Sequence, residues 1–171
     1  MLYSMKQKKS GKTLQLQIRV SPEEKLLIVQ SAKREGLDVS SWVLKRSLNS
    51  FQDKFKSLVG KLSQSANHKY EFSELNEFIS NLASEQSELA FSEKPKVHLS
   101  SYEWNYIAAM IEYSAYMKVF RLPDWINEIE VLEDAVFETN LESLKLYLLT
   151  QSPIPFRRRN IFIDTSIGGQ V

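Results

Sequence analysis

The sequence predicts a mainly α-helical chain with one N-terminal β-strand, the remainder forming a small helical C-terminal domain. Three observations carry this. Residues 13–20 alternate apolar and polar side chains, Ser-x-x-Glu capping boxes open apolar-periodic stretches at Ser21 and Ser100, and helical spacing of apolar residues dominates elsewhere. The 171 residues contain no cysteine, so neither a disulfide framework nor a thiolate metal site is expected. At 43% hydrophobic residues, the length suits one small module and one modest domain.

The strand comes first. Leu14, Leu16, Ile18 and Val20 share one face, and Thr13, Gln15, Gln17 and Arg19 share the other. No second strand follows within hairpin distance, so its backbone groups need a partner elsewhere. A second copy, antiparallel about a two-fold axis, supplies one most simply. Gln15, Gln17 and Arg19 are side-chain types that read base edges in a major groove, which admits a two-stranded β-ribbon. The plain alternative is an ordinary solvated strand face.

Ser21-Pro22-Glu23-Glu24 is a helix start, with serine as N-cap, proline at the first position and glutamate closing the box. That helix runs to about Glu35, with Leu26, Leu27, Val29 and Ala32 as candidates for burial. Gly36 supplies the left-handed stop. Asp38 or Ser40 caps a second helix carrying Trp42, Val43, Leu48, Phe51 and Phe55, which can run on to Leu62.

Gln15-Leu16-Gln17-Ile18-Arg19 resembles the base-reading strand of the ribbon-helix-helix family of Arc and MetJ type. Arc has asparagine where this chain has Gln17, and Gly36 falls at the family's spacing from the arginine. The resemblance covers residues 13–51. It implies a ribbon-helix-helix homodimer with Gln15, Gln17 and Arg19 reading bases and Leu14, Leu16, Ile18, Val20, Trp42 and Val43 in the dimer core. It also implies that Ser40 and Ser41, at the start of the second helix, hold a DNA phosphate, which suits the positive end of a helix dipole. Arc's buried arginine–glutamate–arginine triad is replaced by Leu37, Trp42 and Arg46, so an apolar dimer core is expected.

Charge divides the chain. Residues 1–62 hold thirteen Lys/Arg against five Asp/Glu, whereas residues 63–171 hold nine against sixteen. The basic end includes an arm, residues 1–12, whose Lys6, Lys8, Lys9 and Lys12 suit salt-sensitive contact with phosphates. The expected organisation is therefore arm 1–12, DNA-binding and dimerisation domain 13–62, polar linker 63–70, and a mostly helical partner-binding domain 71–171.

In the second half, residues 72–89 carry Leu75, Phe78, Ile79 and Leu82 on one stripe, and Pro95 stops that helix. Val97–Leu99 reads as a short extended piece. Ser100 to Glu103 opens the longest helix, to about Leu122, with a seam of Tyr106, Met110, Tyr113, Met117 and Phe120. The seam is either the core of a helical domain or a groove for a partner. A short turn at Pro123 and a helix over 140–150 follow. Arg157-Arg158-Arg159 then precedes the apolar run Ile161-Phe162-Ile163. These arginines, with Phe162, are candidates for binding an anion or partner, or else pair internally with the many glutamates. The phrase SPIPFRRRNIFID also resembles a recurrent tail of bacterial proteins encoded beside toxin-like enzymes.

His68 and His98 lie far apart without ligand spacing, and no phosphate-binding glycine loop or nucleophile elbow occurs. No enzyme activity, cofactor or metal is expected. Gly168-Gly169 reads as a tail. No apolar run reaches the ~20 residues of a membrane helix, and the basic N-terminus lacks an apolar signal core. The expectation is a cytoplasmic, nucleoid-associated bacterial protein. Its architecture is antitoxin-like: an N-terminal homodimer binds an operator in double-stranded DNA and represses transcription, and the acidic half neutralises a toxin. The alternatives are a stand-alone regulator with an oligomerisation or sensing domain, or a nucleoprotein scaffold of the plasmid-partition kind.

Overall fold

A computed structural model describes residues 15–64 and 68–164, apart from the side chain of Leu48. Thr13, Leu14 and the lysines at 6, 8, 9 and 12 lie outside the described residues, as do Gly168 and Gly169. The chain divides into two compact units, Met1–Val43 and Leu44–Val171. The division falls inside a helix rather than in the polar stretch 63–70.

In the first unit, residues 15–20 form neither strand nor helix. This corrects the expected N-terminal β-strand and the ribbon-helix-helix fold built on it. The strands among the described residues come late, and both are short. A strand is a pairing, and alternation supplies only one side of it. Leu16, Ile18 and Val20, expected to be buried, are 75%, 58% and 41% exposed.

Helix α1, Pro22–Arg34, begins where local chemistry requires. Ser21 Oγ accepts from Glu24 N–H at 3.2 Å while Glu24 accepts from Ser21 N–H at 2.7 Å, which satisfies two orphan donors. It ends with Gly36 at φ +66°, letting Gly36 N–H reach Lys33 O and Leu37 N–H reach Ala32 O. Only Ala32 of this helix is buried, whereas Leu26 and Leu27 are 60% and 61% exposed. The apolar stripe of α1 thus has no cover within the described chain.

The second unit has a single core. Helix α2, Val39–Leu62, brings Phe55, Leu58, Val59 and Leu62 to it. α3, His68–Asn81, adds Phe72, Leu75 and Ile79. α5, Ser101–Lys118, is the central element: Ile107, Ala108, Ala109, Met110 and Ile111 are all buried, as expected of a helix apolar on every side. Its start is the second capping box, with Ser100 N–H donating to Glu103 at 2.6 Å.

The stripe over 72–89 is two helices. α3 stops, and α4 runs over Ser84–Ala90. The cause is distant in sequence: Lys118 Nζ donates to the carbonyls of Ile79, Ser80 and Leu82 at 3.0, 2.7 and 2.6 Å, capping α3. Gln86 accepts from Ala83 N–H at 2.9 Å to start α4. α5 likewise ends at Lys118, because Val119 adopts a left-handed conformation at φ 55°.

A 3-10 turn, Asp124–Glu128, buries Trp125 and Ile126, with Trp125 Nε1 donating to Phe91 O at 2.7 Å. Strand β1, Val136–Phe137, α6, Glu142–Gln151, α7, Ile154–Arg157, and strand β2, Ile161–Phe162, complete the unit. β1 and β2 pair in parallel, Val136 with Ile161 and Phe137 with Phe162, and their rings stack at 4.6 Å. Val97–Leu99 joins no sheet.

The two-way reading of the α5 seam resolves by position. Tyr106 and Met110 are core, at 2% and 3% exposure, whereas Tyr113, Tyr116 and Met117 are exposed.

Candidate nucleic-acid interface

The side chains expected to read bases lie on the run before α1. Gln15, Gln17 and Arg19 are exposed, and so are the apolar residues between them, so this segment is open on both faces. The capping box holds Ser21 and therefore fixes where the segment leaves the helix.

The start of α2 already carries an anion. Asp38 accepts from Ser41 N–H at 3.0 Å, and Trp42 N–H reaches Asp38 O at 2.9 Å. Hydrogen bonds from Ser41, by its side chain first and then its backbone, hold the Asp38 carboxyl below its usual range. Ser40 is exposed and Ser41 half-buried. A phosphate at these amides would have to share them with that carboxylate. Trp42, expected in a dimer core, is half-buried and donates through Nε1 to Glu35 at 3.0 Å, and Val43 is half-buried.

Positive charge further along α2 is neutralised inside the second unit. Lys61 pairs with Glu74 at 2.6 Å, Lys54 approaches Glu74 at 4.0 Å, and Lys56 pairs with Glu93 at 2.8 Å. Such exposed pairs stabilise little, typically 0–1 kcal/mol, but they lower the potential these lysines offer a phosphate. Lys45 and Arg46 remain on the exposed surface of α2.

The C-terminal arginines separate into three environments. Arg159 is 5% exposed and bonds inward, to Glu112 at 2.5 Å, Asn105 Oδ1 at 3.0 Å and Ile126 O at 3.3 Å. Phe162 is 8% exposed. Burial takes Arg159 and Phe162 away from the partner role expected of them and bears on the alternative of internal pairing. Arg157 is half-buried, 3.4 Å from Leu149 O, and Arg158 is exposed. Glu112 sits on the helix opened by Ser100, and nothing in the local sequence marks it as the partner of an arginine 47 positions away.

A polar cluster, buried at Tyr106 and Glu103 and open at Glu138, lies where α3, α5 and the end of β1 meet. Tyr106 Oη donates to Glu138 at 3.2 Å, and His68 Nδ1 is 3.5 Å from Glu103. Desolvation, then the nearby Glu138 charge, pushes the Tyr102 phenol up to about 12 and raises Tyr106 further. Neither phenol is therefore an ionised nucleophile at neutral pH. Desolvation also raises Glu138 above the usual carboxylate range, with the Tyr106 hydrogen bond and Lys69 opposing it. Among the described residues, no group of three His, Asp or Glu side chains could hold a metal ion. No helix described is long and apolar enough to cross a membrane.

Residues 10–83 match the model of the NikA-like family, described as mobilization protein NikA. The match takes in the exposed segment before α1, then α1, α2 and α3, and leaves the rest of the second unit outside it. No curated protein matches the chain, and neither does any solved structure.

Proposed function

We propose that this chain is a non-enzymatic, plasmid-associated DNA-binding protein of the mobilisation kind, acting as a homo-oligomer through its N-terminal unit. The family match over residues 10–83 carries the reading. Within the matched stretch, Gln15, Gln17 and Arg19 stand exposed in a segment whose side-chain chemistry suits base edges. The same unit exposes Leu16, Ile18, Val20, Leu26, Leu27 and Val39 and buries only Ala32 of α1. With so little buried among its described residues, the unit needs a partner surface, and a second copy is the nearest source.

Plasmid association favours this reading over toxin neutralisation. The toxin reading rests on the charge division and on a polar stretch leading to amphipathic helices without enzyme motifs, and two of its four contact candidates are buried. Repression of an operon would be a consequence of DNA binding at a promoter and is not needed for mobilisation.

The test is anisotropy of labelled duplex DNA against the full chain over a range of salt. Binding should weaken steeply with salt, because lysine and arginine displace counterions. Gln15→Ala, Gln17→Ala and Arg19→Ala should each cost about 1–3 kcal/mol on a preferred sequence if the contacts are bidentate, and far less on random DNA. A chain that binds no duplex at low salt ends the proposal. Unchanged preference in all three variants removes these residues from base reading.

A further inference from the structure

The two-stranded sheet is closed on one side and open on the other. On the β2 side, the Ser152 hydroxyl plugs the edge: Ile163 N–H donates to Ser152 Oγ at 2.9 Å, and Ser152 Oγ donates to Ile163 O at 2.8 Å. On the β1 side nothing comparable occurs. Val136 N–H and Glu138 N–H both turn toward the neighbouring strand, reaching Asn160 O at 2.8 Å and Phe162 O at 3.1 Å. Backbone alternation therefore points the N–H and C=O of Phe137 to the opposite edge, where they meet no partner among the described residues.

The approach to that edge is already rigid. Asn105 Nδ2 holds Glu130 O at 2.9 Å, and Asn160 Nδ2 holds Leu132 O at 2.5 Å. A preformed edge binds with a smaller ordering cost than a loop would. Natural edges are usually blunted by proline or lysine; residues 124–144 contain neither, and Lys145, whose Nζ lies 5.7 Å from the Phe137 ring centroid, is tied to Glu142. That stretch carries carboxylates instead. Glu130, Glu133 and Asp134 are exposed and form no ion pair among the described residues. Glu138 is engaged with Tyr106, and Glu142 with Lys145 at 2.6 Å. Val131 and Leu141 add apolar surface at 50% and 61% exposure.

We propose that the open edge of β1 takes an extended basic peptide segment of a partner protein, added as a third strand. The backbone of Phe137 supplies the ladder bonds, Glu130, Glu133 and Asp134 select lysine or arginine, and the exposed apolar residues receive the alternate side chains. The same carboxylates repel the identical edge of a second copy, so charge disfavours self-pairing here. This site lies outside residues 10–83 and does not rest on the DNA-binding reading.

The probe is a labelled peptide of four Lys-Val repeats, titrated by anisotropy into the full-length chain without DNA. Two control peptides match it in length: Glu-Val repeats, and a Lys-Pro form that keeps the charge but loses every second N–H and is held near polyproline II, a conformation that does not ladder. The Lys-Val peptide should bind at least tenfold more tightly than either control. Joint replacement Glu130→Gln, Glu133→Gln and Asp134→Asn should weaken it about tenfold at low salt. Amide exchange gives a readout that needs no variant: Phe137 N–H should gain protection with the Lys-Val peptide and not with Lys-Pro. Equal binding of Lys-Pro and Lys-Val would reduce the effect to bulk charge attraction and overturn the proposal. Protection of Phe137 that rises with protein concentration alone would assign the edge to a second copy and overturn it as well. DNA affinity is measured separately, so loss of either activity leaves the other assessable.

Discussion

Replacing Arg159 by methionine should destabilise the C-terminal unit far more than replacing either of its arginine neighbours by alanine. Arg159 is 5% exposed and donates to Glu112, Asn105 and Ile126 O, so its removal strands a half-buried carboxylate and two buried acceptors. Breaking one side of a buried ion pair costs about 3–5 kcal/mol. That is a large part of the ~5–15 kcal/mol that holds a domain folded. Arg158 is exposed, so Arg158→Ala should fall within about 0.5 kcal/mol of wild type. Arg157 offers one long bond to Leu149 O, and Arg157→Ala should cost about 1 kcal/mol or less. The assay is urea unfolding followed by tryptophan fluorescence, because buried Trp125 reports on this unit. A lower midpoint at unchanged slope marks a change in stability alone. Adding Glu112→Leu to Arg159→Met should recover roughly 1–3 kcal/mol, since the stranded carboxylate is then gone. Equal midpoints for the three single variants would refute the reasoning, as would a double variant worse than the sum of its parts.

Val119 is a β-branched residue held at φ 55° and is 87% exposed, so it loses little packing on truncation. Val119→Gly should relieve ~1–2 kcal/mol of left-handed strain, less ~0.5–1 kcal/mol for a looser unfolded chain. The melting temperature should then rise by roughly 1–3 °C. Lys118→Met leaves the carbonyls of Ile79, Ser80 and Leu82 uncapped and should cost about 1–3 kcal/mol in the same unfolding experiment. Burial lowers the Lys118 pKa below 10.5 in the folded state, so the unfolded chain binds more protons just below that pH. Stability from this group therefore rises with pH through that window, and Lys118→Met should remove the rise. Glu138 has the opposite sign: its folded pKa is raised above 4.5, so its contribution is fully present below 4.5 and fades as pH climbs through the raised value. Melting temperatures across that window should decline less in Glu138→Gln than in wild type.

How much could be read in advance depended on the range of the interactions. Ser21 with Glu24, Ser100 with Glu103, and Gly36 after α1 each act over three residues or fewer. The helix starts and the left-handed stop were accordingly legible as strings. Exposure of Gln15, Gln17 and Arg19 was legible too, because polar residues in an alternating run have no reason to be buried. The strand status of residues 15–20 was not legible, because pairing is a property of two segments. Likewise, the break between α3 and α4 depends on Lys118, more than thirty residues away, and the burial of Arg159 depends on Asn105, 54 positions earlier. Nor did local sequence show that Glu74 and Glu93 would neutralise the lysines of α2, or that β1 would pair with β2 and leave an edge open. By itself, the sequence determined where helices begin and turn, and which polar side chains stand exposed ahead of α1. Tertiary structure alone decided which charges are buried, paired or exposed, because a charge's partner is set by proximity in space.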